Sequence, residues 1–459
     1  MVRTRSSTAI LAFVLLAACS HSEVGQNGTS GGTSNGNGGA SAQGGNGAGQ
    51  GGTQVGSGGS NALAGANTGG SIAAGGSSGG GTATGGGAGA PASGGASGGG
   101  SAQGGAGGAA TAGNAGTAGT AGSTNVNPNW KAAISPQVTE QMLNDGYTDW
   151  KSRFAETCSN GAGSVVIKDG DSVVSEGIGY GMLLSVNFSD REFFDGLFKY
   201  YNGHLDSNGL MNWKTGVCES PGNNNSNAAT DGDLDVAMAL IQANARWSDG
   251  GYLDKARDLA GKILKFETED CSGRKILRPG DKFGGCSDSG QPRINPSYFA
   301  PGYYRVFAHY FSDQASSWNA LITGTYELLP MYQARMNGLV PDWSKFDGSD
   351  WYGAGYSWDA CRTPWRIMVD YAFSGDAKAR TFMEGVRTWA DANLGTLSME
   401  QTNSAFHGAI ALAAAYDPAK FEAAMTVWLN TKGDDVPYFQ ATLRMLYLLA
   451  AAGKFPSTM

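Results

Sequence analysis

Residues 229–247 read Ala-Thr-Asp-Gly-Asp-Leu-Asp-Val-Ala-Met-Ala-Leu-Ile-Gln-Ala-Asn-Ala-Arg-Trp. From Asp233 onward Val236, Leu240, Ala243 and Trp247 fall at helical spacing and form one apolar face. Three aspartates, Asp231, Asp233 and Asp235, alternate where this helix begins. The pattern has a superficial likeness to a calcium loop, but the turn Gly and the terminal Glu are missing, which excludes an EF-hand. One of the three is expected to cap the helix and the others to hold polar groups of a ligand.

The same periodicity extends in both directions. Ser189-Asp190-Arg191-Glu192 reads as a capping box ahead of Phe193, Phe194, Leu197 and Phe198. Asp417-Pro418 reads as an N-cap followed by Pro at the first helical position. Helical runs are predicted over about 300–311, 317–335, 364–373, 377–391, 404–416, 419–430 and 438–452. Alternating strand patterns are few. Between the runs lie long loops rich in Gly, Asn, Trp and Tyr, which suggests an all-α toroid with a cleft built on its loops rather than an ordinary bundle.

The chain has 459 residues and 74 glycines, most of them before residue 125. The stretch from Glu23 to Ser123 is almost devoid of large apolar side chains and cannot offset its own ordering entropy, so 20–126 is predicted to be a disordered linker. A single large domain is expected over 127–459. At the start, Arg3 and Arg5 precede an apolar run from Ile10 to Leu16 that is too short to span a bilayer. Leu16-Ala17-Ala18-Cys19 follows and resembles a bacterial lipobox. That resemblance implies a signal peptide over 1–19, lipid on Cys19 and, with Ser20 next, an outer-membrane or cell-surface location. A plain secretory signal is the competing reading.

Net charge is −8 with no basic run, which argues against nucleic acid and against an anionic polymer as partner. Besides Cys19 there are Cys158, Cys218, Cys271, Cys286 and Cys361, an odd number. One or two disulfides are expected in an exported chain, Cys271–Cys286 first among them by proximity, with at least one thiol left over. No CxxC or His–Cys cluster occurs, so neither a metal nor a cofactor is expected. Nothing in the sequence asks for a second copy, and a monomer is expected.

Two further acidic positions stand out. In Val174-Ser175-Glu176-Gly177-Ile178-Gly179-Tyr180-Gly181-Met182, glycine at every second position permits close packing or close approach of a ligand. Apolar neighbours would desolvate Glu176 and raise its pKa, although a Glu in a first helical turn also suits the helix dipole. The spacing is not a phosphate loop, because no strand–turn–helix unit with an acidic partner surrounds it. In Tyr356-Ser357-Trp358-Asp359-Ala360-Cys361-Arg362-Thr363-Pro364, Thr363 and Pro364 read as N-cap and first helical residue. Asp359 then sits on the preceding loop, where Arg362 can orient it or merely pair with it.

Taken in order, these segments resemble glycoside hydrolase family 8. The residues that carry the likeness are the Ala229–Ala237 phrase with Trp247, Leu210-Met211-Asn212-Trp213, Arg278-Pro279-Gly280-Asp281, Asn295–Pro301, Val340-Pro341-Asp342-Trp343, Leu443–Leu446 and Gly453-Lys454-Phe455-Pro456. It covers about 140–456. Val236 and Cys361 are mild departures. The resemblance implies an (α/α)6 barrel, an inverting mechanism and no metal. It makes Glu176 the general acid, Asp359 the general base, and Asp231 the group that binds and helps distort the sugar at the scissile bond. Another reading of the signature gives an Asp of the Ala-Thr-Asp segment the base's part. Trp213, Tyr180, Tyr303 and Trp358 are the candidate sugar-stacking aromatics, each a core aromatic on the alternative reading, and Arg362 the orienting cation.

The Glu-Gly-Ile-Gly-Tyr-Gly and Ala-Thr-Asp-Gly-Asp segments look like the endoglucanase branch, which implies β-1,4-glucan in cellulose or mixed-linkage glucan as the polysaccharide partner. Xylan or chitosan are the alternatives within the family. A non-catalytic carbohydrate-binding lipoprotein is the alternative of another class.

Overall fold

The structure, a computed structural model, describes residues 129–459 apart from 169, 223–226, 395–402 and 432–436. The expected signal peptide over 1–19, the expected lipid on Cys19 and the expected linker over 20–126 lie outside the described residues.

Twelve α-helices occur among the described residues. They are α1 (Glu140–Phe154), α2 (Ser175–Asn187), α3 (Arg191–Gly203), α4 (Thr230–Arg246), α5 (Tyr252–Phe266) and α6 (Pro301–Tyr310). The second half holds α7 (Ala315–Arg335), α8 (Thr363–Ser374), α9 (Ala377–Asn393), α10 (Ser404–Leu412), α11 (Pro418–Leu429) and α12 (Tyr438–Ala451). Packing alternates strictly. The even helices touch one another in a closed ring, α2 with α4, α4 with α6, α6 with α8, α8 with α10, α10 with α12, and α12 back to α2. Each odd helix leans on an even one, α1 on α12, α3 on α2, α5 on α4, α7 on α6, α9 on α8 and α11 on α10. This is an (α/α)6 barrel.

Sequence separates the two rings. Inner helices are buried almost all round, as α2 from Gly177 to Asn187 and α4 from Thr230 to Ala243. Outer helices bury one stripe, as α3 with Phe193, Phe194, Leu197, Phe198, Tyr200 and Tyr201. The alternating glycines of α2 serve this packing. A Cβ at Gly179 would stand 2.7 Å from Asp235 Cβ and 3.0 Å from the Gly232 carbonyl. Gly232 in turn lies flat against Ser175, so α2 and α4 cross at backbone contact. The glycines therefore face protein, not a ligand.

Three helix starts depart from the expected caps. Asp190, not Ser189, caps α3 by accepting from Phe193 N–H. None of the three aspartates caps α4, which begins at Thr230 after an extended Ala229. Thr363 lies inside α8, because a 3-10 turn over Ala360–Arg362 runs straight into that helix. Asp417 caps α11 as expected, accepting from Ala419 and Lys420 N–H, with Pro418 at the first position.

Among the described residues six strands of three or four residues form three antiparallel pairs. These are β1 (Ala155–Thr157) with β2 (Ser164–Val166), β3 (Ser172–Val174) with β4 (Lys214–Gly216), and β5 (Thr268–Cys271) with β6 (Arg274–Leu277). Disulfides Cys158–Cys218 and Cys271–Cys286 brace the loops around them, and Cys361 remains a buried thiol.

Candidate active site

The inner helices present their first turns at one end of the barrel, and one side chain ties most of them together. Arg362, at the entry to α8, is 2% exposed. Its Nη1 donates to Glu176 Oε2 at the start of α2 and, over 2.9 Å, to Asp231 Oδ2 at the start of α4. Its Nη2 donates to Asp359 Oδ1 over 2.8 Å and to Ser297 Oγ, just ahead of α6, over 2.9 Å. Tyr438, the first residue of α12, donates to Glu176 Oε1 over 3.0 Å. Phe406, in the first turn of α10, meets Trp358 edge-on at 5.0 Å. The fold thus places carboxylates where six helix N-termini point, and the dipoles favour negative charge there.

The three carboxyls differ in their surroundings. Asp231 keeps 3% of its side-chain surface open, whereas the Glu176 and Asp359 side chains keep 17% and 32%. Burial pushes the Glu176 carboxyl up to about 7, against the pull of Arg362 and with help from Asp231. Burial also raises Asp359, again opposed by Arg362. The site therefore holds one carboxyl poised to carry a proton near neutrality and another with an open edge, on different nitrogens of one guanidinium.

Surrounding segments fix these positions. Ser175 N–H donates to the Trp213 carbonyl over 3.0 Å, so the antiparallel pairing of β3 with β4 sets Trp213 beside Glu176. Thr230 Oγ1 donates to the Arg278 carbonyl over 2.8 Å, and Asp281 Oδ1 accepts from Ala228 N–H over 2.8 Å. The Arg278–Asp281 segment thereby anchors the start of α4. Asn295 Oδ1 accepts from Ser297 Oγ over 2.7 Å and aims it at Arg362.

A family comparison decides the identity. The sequence model for glycosyl hydrolases family 8 matches residues 129–453. The chain belongs to that family. It is a glycoside hydrolase of the cellulase type. Endoglucanase 2 of Ruminiclostridium josui is 35% identical over 352 residues, covering 71% of this chain and 74% of that one. Endoglucanase A of Acetivibrio thermocellus is 34% identical over 346 residues, covering 69% and 70%. Among solved structures, the β-1,3-1,4-glucanase of Paenibacillus sp. X4 superposes with a TM-score of 0.62 at 24% identity, covering 71% of this chain and 95% of that one. At that identity it shares the fold.

Within this family 8 barrel the sequence-predicted residues divide. Glu176, Asp231, Asp359 and Arg362 converge on one point. Trp213 and Trp358 keep large exposed rings, at 41% and 38%. Tyr180 and Tyr303 do not, and their assignment as sugar-stacking residues is corrected. Tyr180 is fully buried and edge-on to Trp365. Tyr303 is sandwiched into the core against Phe455, with the Arg366 guanidinium over its ring. Each stands on an inner helix, where the face and not the residue type decides exposure. Asp233 and Asp235 are likewise internal, Asp233 accepting from the Tyr201 hydroxyl and Met211 N–H and Asp235 from both terminal nitrogens of Arg366.

Sequence reasoning gave no role to Tyr438, Ser297 or Tyr298, whose ring lies 5.3 Å from the Arg362 guanidinium. Ser297 and Tyr298 sit in a segment already singled out, Asn295–Pro301. Tyr438 carried no local signal, since its partner Glu176 lies 262 residues away.

Proposed function

We propose that this hydrolase cuts β-1,4-glucosidic bonds within cellulose or mixed-linkage β-glucan, with inversion at the anomeric carbon. Glu176 gives its proton to the leaving glycosidic oxygen. Asp359 takes a proton from a water whose oxygen bonds to the anomeric carbon from the opposite face. Asp231, held by Arg362, receives hydroxyls of the sugar at the scissile bond. Trp213 and Trp358 offer their rings to sugar faces.

The observation that carries this reading is the pair of unlike carboxyls on one buried arginine, Glu176 pushed up to about 7 and Asp359 with an open edge. An acid must hold its proton at working pH, and a base must reach water. The choice of glucan rests on relatives named endoglucanase at 33–35% identity.

The test is reducing-sugar release from carboxymethylcellulose, barley β-glucan, xylan and chitosan by wild type and Glu176→Gln. Release from the two glucans, lost in the variant, is expected. Faster release from xylan or chitosan would replace the substrate, and an active Gln variant would remove Glu176 from its role. We also propose, from Leu16-Ala17-Ala18-Cys19, that the mature chain is tethered to the outer membrane or cell surface by lipid on Cys19. Cys19→Ala should release protein into the medium, and unchanged membrane fractionation would refute the anchor.

A further inference from the structure

Asp359 stands immediately before the 3-10 turn Ala360–Arg362, with helical backbone angles (φ −78°, ψ −54°), and its side chain makes no capping bond. Its carboxylate instead faces Arg362 Nη2 over 2.8 Å. Within the turn Cys361 N–H donates to the Ser357 carbonyl over 3.0 Å and Arg362 N–H to the Asp359 carbonyl over 3.3 Å. Two further backbone donors, one on either side of Asp359, go to one side chain. Asp342 Oδ1 accepts from Ala360 N–H over 2.7 Å and from Ser357 N–H over 3.0 Å. Asp342 N–H donates to the Gly355 carbonyl over 2.8 Å. One residue thus grips the loop at three backbone groups, on both sides of Asp359.

We infer that Asp342 is a positioning residue for Asp359: it clamps the loop at Ser357 and Ala360 N–H and so holds the Asp359 carboxylate where it can act on water. This rests on the reading of Asp359 as the general base. Without the Asp342 acceptor, both N–H groups lose their shared partner, the backbone on either side of Asp359 is released, and the base leaves its place. Burial together with the Asp359 charge pushes the Asp342 carboxyl up to about 7. The capping geometry needs only the lone pairs of Oδ1, which a carboxylic acid or a carboxamide oxygen also supplies.

Three variants test this with kcat, KM and thermal melting on soluble glucan: Asp342→Ala, Asp342→Asn and Asp359→Asn. Asp342→Ala is expected to lower kcat about 100-fold while KM stays within about twofold, the signature of a misplaced reacting group. Asp342→Asn keeps the acceptor and is expected to hold kcat within about threefold. That comparison stands even if the Ala variant does not fold: a folded Asn variant slowed more than about tenfold overturns the proposal. So does wild-type kcat in Asp342→Ala, or an Asn variant as slow as the Ala variant. Asp359→Asn separates the two layers. If it alone is inactive while Asp342→Ala works normally, the clamp fails and the base stands; if it remains active, the base assignment itself falls.

Discussion

Arg362 and Asp231, 131 residues apart in the chain, meet over 2.9 Å where neither side chain is more than 3% exposed. The same guanidinium also holds Glu176 and Asp359. Its planar fork reaches carboxyls on three different segments at once, which a single ammonium point charge does not reproduce. Arg362→Lys is therefore expected to lower kcat by at least about 100-fold, the scale of removing one preorganised charged donor. Turnover on soluble glucan with a near-ultraviolet dichroism check of folding measures it. A folded Lys variant within tenfold of wild type would show that net charge suffices and geometry does not matter.

The pH profile follows from two carboxyls raised by burial. Glu176, pushed up to about 7, must be protonated to act as acid, so activity falls as pH rises through that value. Asp359 must be ionised to act as base and is also raised, so activity falls on the acid side, above the ordinary carboxylate range of about 4. The kcat/KM profile should be a bell with an alkaline limb near pH 7. Activity unchanged from pH 6 to pH 9 would contradict the proton held on Glu176.

Beneath Asp231, Arg366 donates two hydrogen bonds of 2.8 Å to Asp235, with side chains 1% and 0% exposed. They join α4 to α8 across the centre of the barrel. Removing one member leaves the other charged and dry, which costs roughly 3–5 kcal/mol. Asp235→Ala and Arg366→Ala should each lower the unfolding free energy, read from urea titration, by that much. Replacing both by apolar residues of similar volume should recover most of it. Single variants within 1 kcal/mol of wild type would show that water reaches this pair.

Helices were legible in the sequence wherever one apolar face alternated with a polar one, as in α3, and wherever a cap was unambiguous, as at Asp417. Closure of the inner ring was not. Helices such as α2 and α4 are apolar nearly all round, and periodicity then says that a helix is buried without saying against what. Glu176 and Asp359 were legible because their neighbours are unusual, glycines on alternate positions and a Trp–Asp–Arg loop. Tyr180 and Tyr303 were misread for the same reason. Both adjoin glycines and look ligand-facing, yet tight helix packing turns them inward. Tyr438 meets Glu176 262 residues away, which no local pattern encodes, and Asp342, although inside the Val340–Trp343 segment, shows its loop contacts only in the fold.

A last prediction concerns stability rather than catalysis. Asp233 and Glu267 are both fully buried, and neither Glu267 oxygen nor Asp233 Oδ2 meets an N–H or hydroxyl donor. The Thr230 hydroxyl donates to the Arg278 carbonyl instead. The two carboxyls satisfy each other only by sharing a proton, Glu267 donating to Asp233. Burial foremost pushes Asp233 up to about 7 and Glu267 well above its usual value, with the Asp233 charge adding to the second shift. In the unfolded chain both titrate near ~4. The folded state therefore keeps protons that the unfolded state has released. Their stabilisation is complete below about pH 4 and is lost as pH rises through the folded values, at about 1.4 kcal/mol per pH unit for each retained proton. Glu267→Gln gives Asp233 a donor that does not titrate. It should flatten the decline between pH 5 and pH 8, while Glu176 and Asp342 contribute equally to both proteins. Urea midpoints at pH 5, 6, 7 and 8 compare the two slopes. Parallel lines would mean that Asp233 and Glu267 are ionised in the folded protein, and that water or a cation compensates them.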